Sequence, residues 1–175
     1  MPSVALLGTG LLGESIGQRL LQRGVLLYVW NRTQGRSRGL IKAGAQALSS
    51  PSEATRCCDS LITVLRDGPV TAAVLKDIGR LDGSTLITMG TVGVTESQAL
   101  AQQAAQQGGR YLEAPVLGSK PQALNGSLLV MAGGEAQVFE AQQPLLSHLC
   151  QEPLLVGPVG SGAATKLTLN QLIAS

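Results

Sequence analysis

Residues 8–13, Gly8-Thr9-Gly10-Leu11-Leu12-Gly13, follow the apolar run Val4–Leu7 and precede a stretch whose apolar residues fall at 12, 16, 20 and 21. Glycines at this spacing, between a buried run and a helical stripe, restrict the chain to a strand, a tight turn and a helix. Gly8 permits the turn, Gly10 lets the backbone approach a large anion, and Gly13 lets the helix pack closely on the strand. The start of the helix offers free N–H groups and the positive end of its dipole. In this context residues 8 to 13 read as a cradle for a dinucleotide pyrophosphate. A bare strand-to-helix turn is the plainer alternative.

The rest of the chain repeats the same rhythm. Strands are expected at Leu26–Trp30, Ala45–Leu48, Ser60–Leu65, Thr85–Met89, Arg110–Val116, Ser127–Ala132 and Leu154–Val156. Helices are expected at Leu11–Arg23, Ser37–Ala43, Pro69–Ile78, Thr95–Gln107 and Ala136–Leu149, with a short one begun by "SSPSEA". Strands alternating with helices predict an α/β protein of the doubly wound Rossmann type, a mostly parallel sheet with helices on both faces. The segment from Gly162 turns helical and is still helical at Ser175, with no glycine or proline stop. The reading is therefore a nucleotide-binding domain over 1–162 and, over 163–175, the start of a helix after which more chain is expected.

The second strand ends in "NRT", and this selects the nucleotide. An acid there would bind a ribose 2′-hydroxyl and favour NAD. Asn31 is neutral, Arg32 can pair with a 2′-phosphate, and Thr33 can donate a hydroxyl, with Arg36 or Arg38 adding charge. A guanidinium fork suits phosphate, so the expected cofactor is NADP, with NAD the weaker candidate.

Bulk properties exclude other classes. Apolar residues are 44% but aromatics only 2%, so the core must be aliphatic and there is no stacking platform for bases. A net charge of +2 gives no nucleic-acid or membrane signal. Three cysteines, Cys57, Cys58 and Cys150, form no framework and read as reduced structural thiols. A single histidine makes a metal site implausible. The first residues have no basic segment or cleavage site, and no apolar stretch is long enough to span a bilayer, which gives a cytoplasmic expectation. His148 reads as a dipole contact late in a helix, and Asp67 in "LRDGP" as a helix cap.

Lys166 and Asn170 are four apart, so a helix puts them on one face. A surface lysine near a helix start is the plainer alternative, though the positive end of the dipole disfavours one there. That position fits a general acid beside a hydrogen-bonding partner, both directed into a cleft.

The stretches "LLGTGLLGESIGQRLLQRG", "NRT", "EAPVLGSKPQALNGSLLVMAGG" and "GPVGSGAATKLTLN" together resemble the β-hydroxyacid dehydrogenases, including 3-hydroxyisobutyrate dehydrogenases and glyoxylate/succinic semialdehyde reductases. The resemblance covers essentially the whole chain. It implies hydride transfer between a nicotinamide and a small aldehyde acid or hydroxy acid. In it, Lys166 protonates the developing alkoxide and Asn170 holds the substrate or the lysine. It further implies that Leu65 and Arg66 cover the cofactor, that Thr91 lies by the nicotinamide ribose, and that Leu117, Gly118 and Ser119 form the substrate-carboxylate loop.

The chain departs from the family pattern where Gly90 replaces a frequent serine and Leu117 another, changes that bear on the choice of substrate. Family members continue into an all-helical domain that usually makes a homodimer, and here the chain stops inside the joining helix. The apolar side of that helix, Leu167, Leu169, Leu172 and Ile173, is expected to be exposed. Two other functions share these motifs: an imine reductase, which replaces the lysine with another acid, and a nucleotide-binding module without catalysis.

Overall fold

The computed structural model describes residues 3–174. Met1, Pro2 and Ser175, at the ends of the expected domain and helix, lie outside the described residues. The strands are β1 (Ser3–Leu7), β2 (Leu26–Trp30), β3 (Gln46–Ala47), β4 (Ser60–Thr63), β5 (Thr85–Thr88), β6 (Arg110–Glu113), β7 (Val116–Leu117), β8 (Leu129–Gly134) and β9 (Leu154–Gly157). The helices are α1 (Leu11–Gln22), α2 (Arg38–Lys42), α3 (Ala54–Cys57), α4 (Gly68–Ile78), α5 (Val94–Gln106), α6 (Lys120–Asn125), α7 (Ala136–Leu146) and α8 (Ser161–Ala174). Single 3-10 turns at Gln34–Ser37 and Pro51–Glu53 lead into α2 and α3.

The sheet runs β3-β2-β1-β4-β5-β6-β8-β7, with β9 also paired to β8. The first six strands in that order are all parallel. β8 is antiparallel to both β6 and β7, while β9 runs parallel to β8. The expected doubly wound parallel sheet is present.

Alternation along the strands explains why both faces are covered. In β1, Val4 and Leu6 enter one core with Ile16, Leu20 and Leu40, while Ala5 and Leu7 enter the other with Leu75 and Leu100. Ile62 and Ile87 join the first core, and Leu61 and Leu86 the second. Strands buried on both sides read as continuous aliphatic runs, which is how an aliphatic chain with few aromatics fills two layers.

Most element ends shift by one or two residues, and three differences from the sequence expectation bear on the site or on a named residue. The expected strand over 110–116 breaks after Glu113. Ala114 and Pro115 separate β6 from β7, because proline lacks the N–H that would continue the ladder. The loop after β7 contains α6, unforeseen, whose signals are Ser119 at its N-cap, Pro121 in its first turn and a left-handed Gly126 at its end. α7 stops at Leu146 rather than Leu149, so His148 follows the helix instead of lying late in it. Its pKa is lowered by burial and by Arg23 and Arg19, opposite to what a favourable dipole contact would do. Asp67 does cap α4, its carboxylate accepting the Val70 N–H at 2.9 Å.

Candidate functional site

In a doubly wound sheet, ligands bind at the carboxyl ends of the strands where the winding reverses. Here that point lies between β1 and β4. Gly8 leaves β1 at φ +106, and a Cβ there would stand 2.3 Å from the Val64 carbonyl oxygen. Only glycine fits that conformation and that approach. A Cβ on Gly13 would be 2.1 Å from the Gly8 carbonyl oxygen, so the first turn of α1 rests on the end of β1. Gly10, the N-cap of α1, has no side-chain cap, and a Cβ there would meet nothing within 4 Å. Leu11 beside it is 81% exposed, which takes it out of the core. The open face at Gly10 and the uncapped helix start fit a pyrophosphate.

Neighbouring loops close around this turn. Asn31, at the tip of β2, accepts the Thr9 N–H at 2.9 Å and donates to the Thr33 carbonyl at 3.0 Å. Its amide therefore braces the glycine loop against β2, a role the sequence reading did not give it. The buried Thr9 hydroxyl lies 3.2 Å from that of Ser37. Arg32, Thr33, Arg36 and Arg38 are exposed, and no acidic partner of Arg32 occurs among the described residues. Across the crevice, a Cβ on Gly90 would be 2.6 Å from the Leu65 carbonyl oxygen. The serine that the family pattern places here has no room, because the loops after β4 and β5 touch. Thr91 is exposed on that rim, and Leu12 and Leu65 are half-buried. Arg66 is 82% exposed and is held at 2.8 Å by Asp67.

The structure thus gathers Gly8 to Gly13, Asn31, Leu65 and the Gly90–Thr91 turn along one edge. Of the expected loop Leu117–Ser119, Leu117 ends β7, and Gly118 and Ser119 follow it. Gly118 takes φ +127, and the Ser119 N–H and hydroxyl are both engaged by the Gln122 side-chain oxygen, at 2.9 and 3.0 Å. A carboxylate at Ser119 would have to displace Gln122.

Lys166 lies half-buried in the second turn of α8, and burial lowers its pKa. No carboxylate pairs with it among the described residues. Asn170, one turn on, is exposed. So are Leu167, Leu172 and Ile173, whereas Leu169, expected beside them, is half-buried.

Sequence reasoning missed what holds this helix. Glu113, only 1% exposed at the end of β6, accepts the Gly160 and Gly162 N–H groups through Oε1 at 2.8 and 2.7 Å. Its Oε2 accepts the Ser97 hydroxyl at 2.5 Å, and Ser97 lies 2.9 Å from the Tyr111 hydroxyl. Burial pushes the Tyr111 phenol up to about 12, against hydrogen bonds with Ser97 and Thr88 that pull it down. An acid in a run of buried residues, "YLEAP", was the available signal.

The three cysteines are free, and burial raises Cys58 to about 12 and Cys150 to about 11, values of unreactive thiols. Among the described residues no group of His, Cys, Asp or Glu could hold a metal, and no helix is long and apolar enough to cross a membrane.

Sheet order, glycine turn and open helix start together define a dinucleotide-binding domain of the Rossmann class. Residues 3–157 match the family model for the NAD binding domain of 6-phosphogluconate dehydrogenase. The chain belongs to the β-hydroxyacid dehydrogenase family, as an N-terminal nucleotide-binding domain. It is similar to glyoxylate/succinic semialdehyde reductase 1 of Arabidopsis thaliana, 33% identical over an alignment 177 residues long that covers 98% of this chain and 61% of that protein. Among solved structures, 3-hydroxyisobutyrate dehydrogenase of Mycobacterium tuberculosis with L-serine superposes with a TM-score of 0.95 at 26% identity, over 99% of this chain and 60% of that one. An imine reductase from Pseudomonas sp. gives 0.93 at 26% identity, over 98% and 61%. The chain spans about three-fifths of these relatives, between 60% and 61% of their length.

Proposed function

We propose that the chain is the cofactor-binding part of an NADP-dependent oxidoreductase that interconverts a small aldehyde acid and its hydroxy acid. Residues 1–162 would form the nucleotide domain, and 163–175 would begin the helix to a further helical domain through which the protein dimerises in the cytoplasm. The observation that carries this reading is Lys166, half-buried and free of any carboxylate among the described residues, on a helix rooted at the carboxyl edge of the sheet.

The bound nicotinamide supplies or accepts the hydride. The residues of this chain do the rest. Gly8 to Gly13 hold the pyrophosphate on the α1 N-terminus. Arg32, with Thr33 beside it, pairs with the 2′-phosphate, and Asn31 keeps the loop in place without adding a negative charge. Leu65, Arg66 and Thr91 border the crevice after β4 and β5. Lys166 Nζ gives its proton to the alkoxide oxygen during reduction and recovers it during oxidation; a pKa lowered by burial brings it towards neutral pH, where such exchange is effective. Asn170 and the Leu117–Ser119 loop hold the substrate.

The imine-reductase reading rests on shared fold, and Lys166 speaks against it. The test is reduction of glyoxylate and succinic semialdehyde by the full-length protein and its Lys166→Ala variant, with NADPH and NADH. The reading expects the variant to bind NADPH as the parent does and to lose turnover. Equal rates for the two would refute the role of Lys166, and turnover of a cyclic imine without turnover of either aldehyde would favour the alternative.

A further inference from the structure

α8 lacks a conventional N-cap side chain. Gly160 occupies the cap position, its carbonyl accepting the Ala164 N–H at 2.9 Å, and the Ser161 N–H bonds the Pro158 carbonyl at 3.0 Å. The N–H groups of Gly160 and Gly162 would be left bare at a helix start where four backbone donors lack partners in the helix itself. Both go instead to one oxygen of Glu113, 47 and 49 residues away in sequence. The other oxygen is tied to Ser97 on α5.

The surroundings are shaped to this carboxylate. A Cβ on Gly133 would lie 2.0 Å from Glu113 Oε1, so β8 must carry glycine opposite it. A Cβ on Gly162 would be 2.5 Å from the Met131 carbonyl and 3.1 Å from Glu113 Oε1. The root of α8 is thus pressed against β8 with no spare space. Among the described residues no cation pairs with Glu113, so its charge faces only hydroxyl and N–H donors.

Gly162 and Lys166 are four apart, on one face and about 6 Å along the axis. Any lift or rotation of the helix root is carried directly to the lysine. Misplacing a catalytic group by ~1 Å lowers a rate by up to about 100-fold.

We propose that Glu113 is a positioning residue, a buried carboxylate that joins β6, α5 and the root of α8 and thereby fixes where Lys166 presents its amine. This rests on the lysine reading above. Glu113→Gln should be well tolerated, because the amide oxygen can still accept both N–H groups while the amide nitrogen donates to the Ser97 oxygen. Glu113→Ala removes every bond.

The experiment uses the full-length protein in four forms: parent, Glu113→Ala, Glu113→Gln and Lys166→Ala. NADPH affinity, melting temperature, kcat and KM for glyoxylate, and hydrogen–deuterium exchange over 160–166 are measured in each. Glu113→Ala is expected to speed exchange over 160–166 roughly tenfold and to lower kcat at least tenfold, with NADPH affinity within about twofold of the parent. Glu113→Gln is expected to recover kcat to within about threefold and to restore exchange. If Glu113→Ala is not recovered folded, Ser97→Ala carries the test, with exchange about threefold faster and kcat about threefold lower. Unchanged exchange over 160–166 would overturn the proposal. So would losses of kcat, NADPH affinity and melting temperature in proportion, the mark of a general structural role. Full kcat in Glu113→Ala beside an inactive Lys166→Ala would sink this proposal alone. A Lys166→Ala variant as fast as the parent would sink the lysine reading and this proposal with it.

Discussion

Replacing Gly10 and Gly13 in turn by alanine separates two things the glycine loop does. At Gly13 the new Cβ would sit 2.1 Å from the Gly8 carbonyl oxygen, closer by about 1 Å than carbon and oxygen tolerate. Neither partner can yield, since Gly8 is itself fixed against the Val64 carbonyl. Overpacking of this kind costs about 2–3 kcal/mol. For a domain of this size that lowers the melting temperature by about 4–12 °C. At Gly10 a Cβ meets nothing within 4 Å and φ is −67, a conformation alanine adopts freely. The gain from a stiffer unfolded chain, about 0.4–1 kcal/mol, roughly offsets the poorer N-cap. Gly10→Ala should therefore melt within about 2 °C of the parent. Its methyl, however, fills the open face at the start of α1, and NADPH should bind at least about tenfold more weakly, a loss of about 1.4 kcal/mol. Thermal melts and calorimetric titrations with NADPH on the three proteins decide it. Parent-like NADPH affinity in Gly10→Ala would refute the placement of the pyrophosphate. A parent-like melting temperature in Gly13→Ala would refute the close-contact argument.

Arg32→Ala should weaken NADPH about tenfold and leave NADH unchanged, as read by parallel titrations; equal weakening of both would remove Arg32 from 2′-phosphate recognition. Asn31→Ala leaves the Thr9 N–H without its partner, at about 1–3 kcal/mol, and should weaken NADPH and NADH alike. The rate of aldehyde reduction should fall as pH rises through the Lys166 pKa, because the amine must carry its proton, and this limb should lie on the acid side of the ordinary lysine value near ~10.4. Asp67 has its pKa lowered by the Val70 N–H and by Arg66, so its contribution to stability is complete above the unfolded value near ~3.9 and disappears as pH falls through the lower folded one. Melts of the parent and Asp67→Ala should therefore differ by a constant few degrees above about pH 5 and converge in stronger acid.

The parallel layers were legible because their signals are local. The aliphatic run at 4–7 and the Leu-Ile pairs at 61–62 and 86–87, framed by Ser and Thr, mark strands buried on both faces, and glycine or capping residues stop the intervening helices. What escaped was decided across the chain. β6 and β7 look like one strand until Pro115 is weighed as a missing donor. α6 hides in "SKPQALNG" because six residues are too few to show a stripe. The glycine loop, Arg32 and Lys166 each stand out where they are, whereas the bond of Asn31 to Thr9 spans 22 residues and those of Glu113 to α8 span 47 and 49. A carboxylate that meets its donors only after folding leaves no spacing to read.

The brace between Asn31 and Thr9 has a practical consequence for redesigning cofactor choice. In the proposed site, Asn31 and the loop assigned to the phosphates are one mechanical piece, so altering Asn31 to change preference would also loosen the grip common to both nucleotides. On the same reading, exchanges confined to Arg32 and Thr33, whose side chains are exposed, would alter discrimination while leaving that shared grip intact.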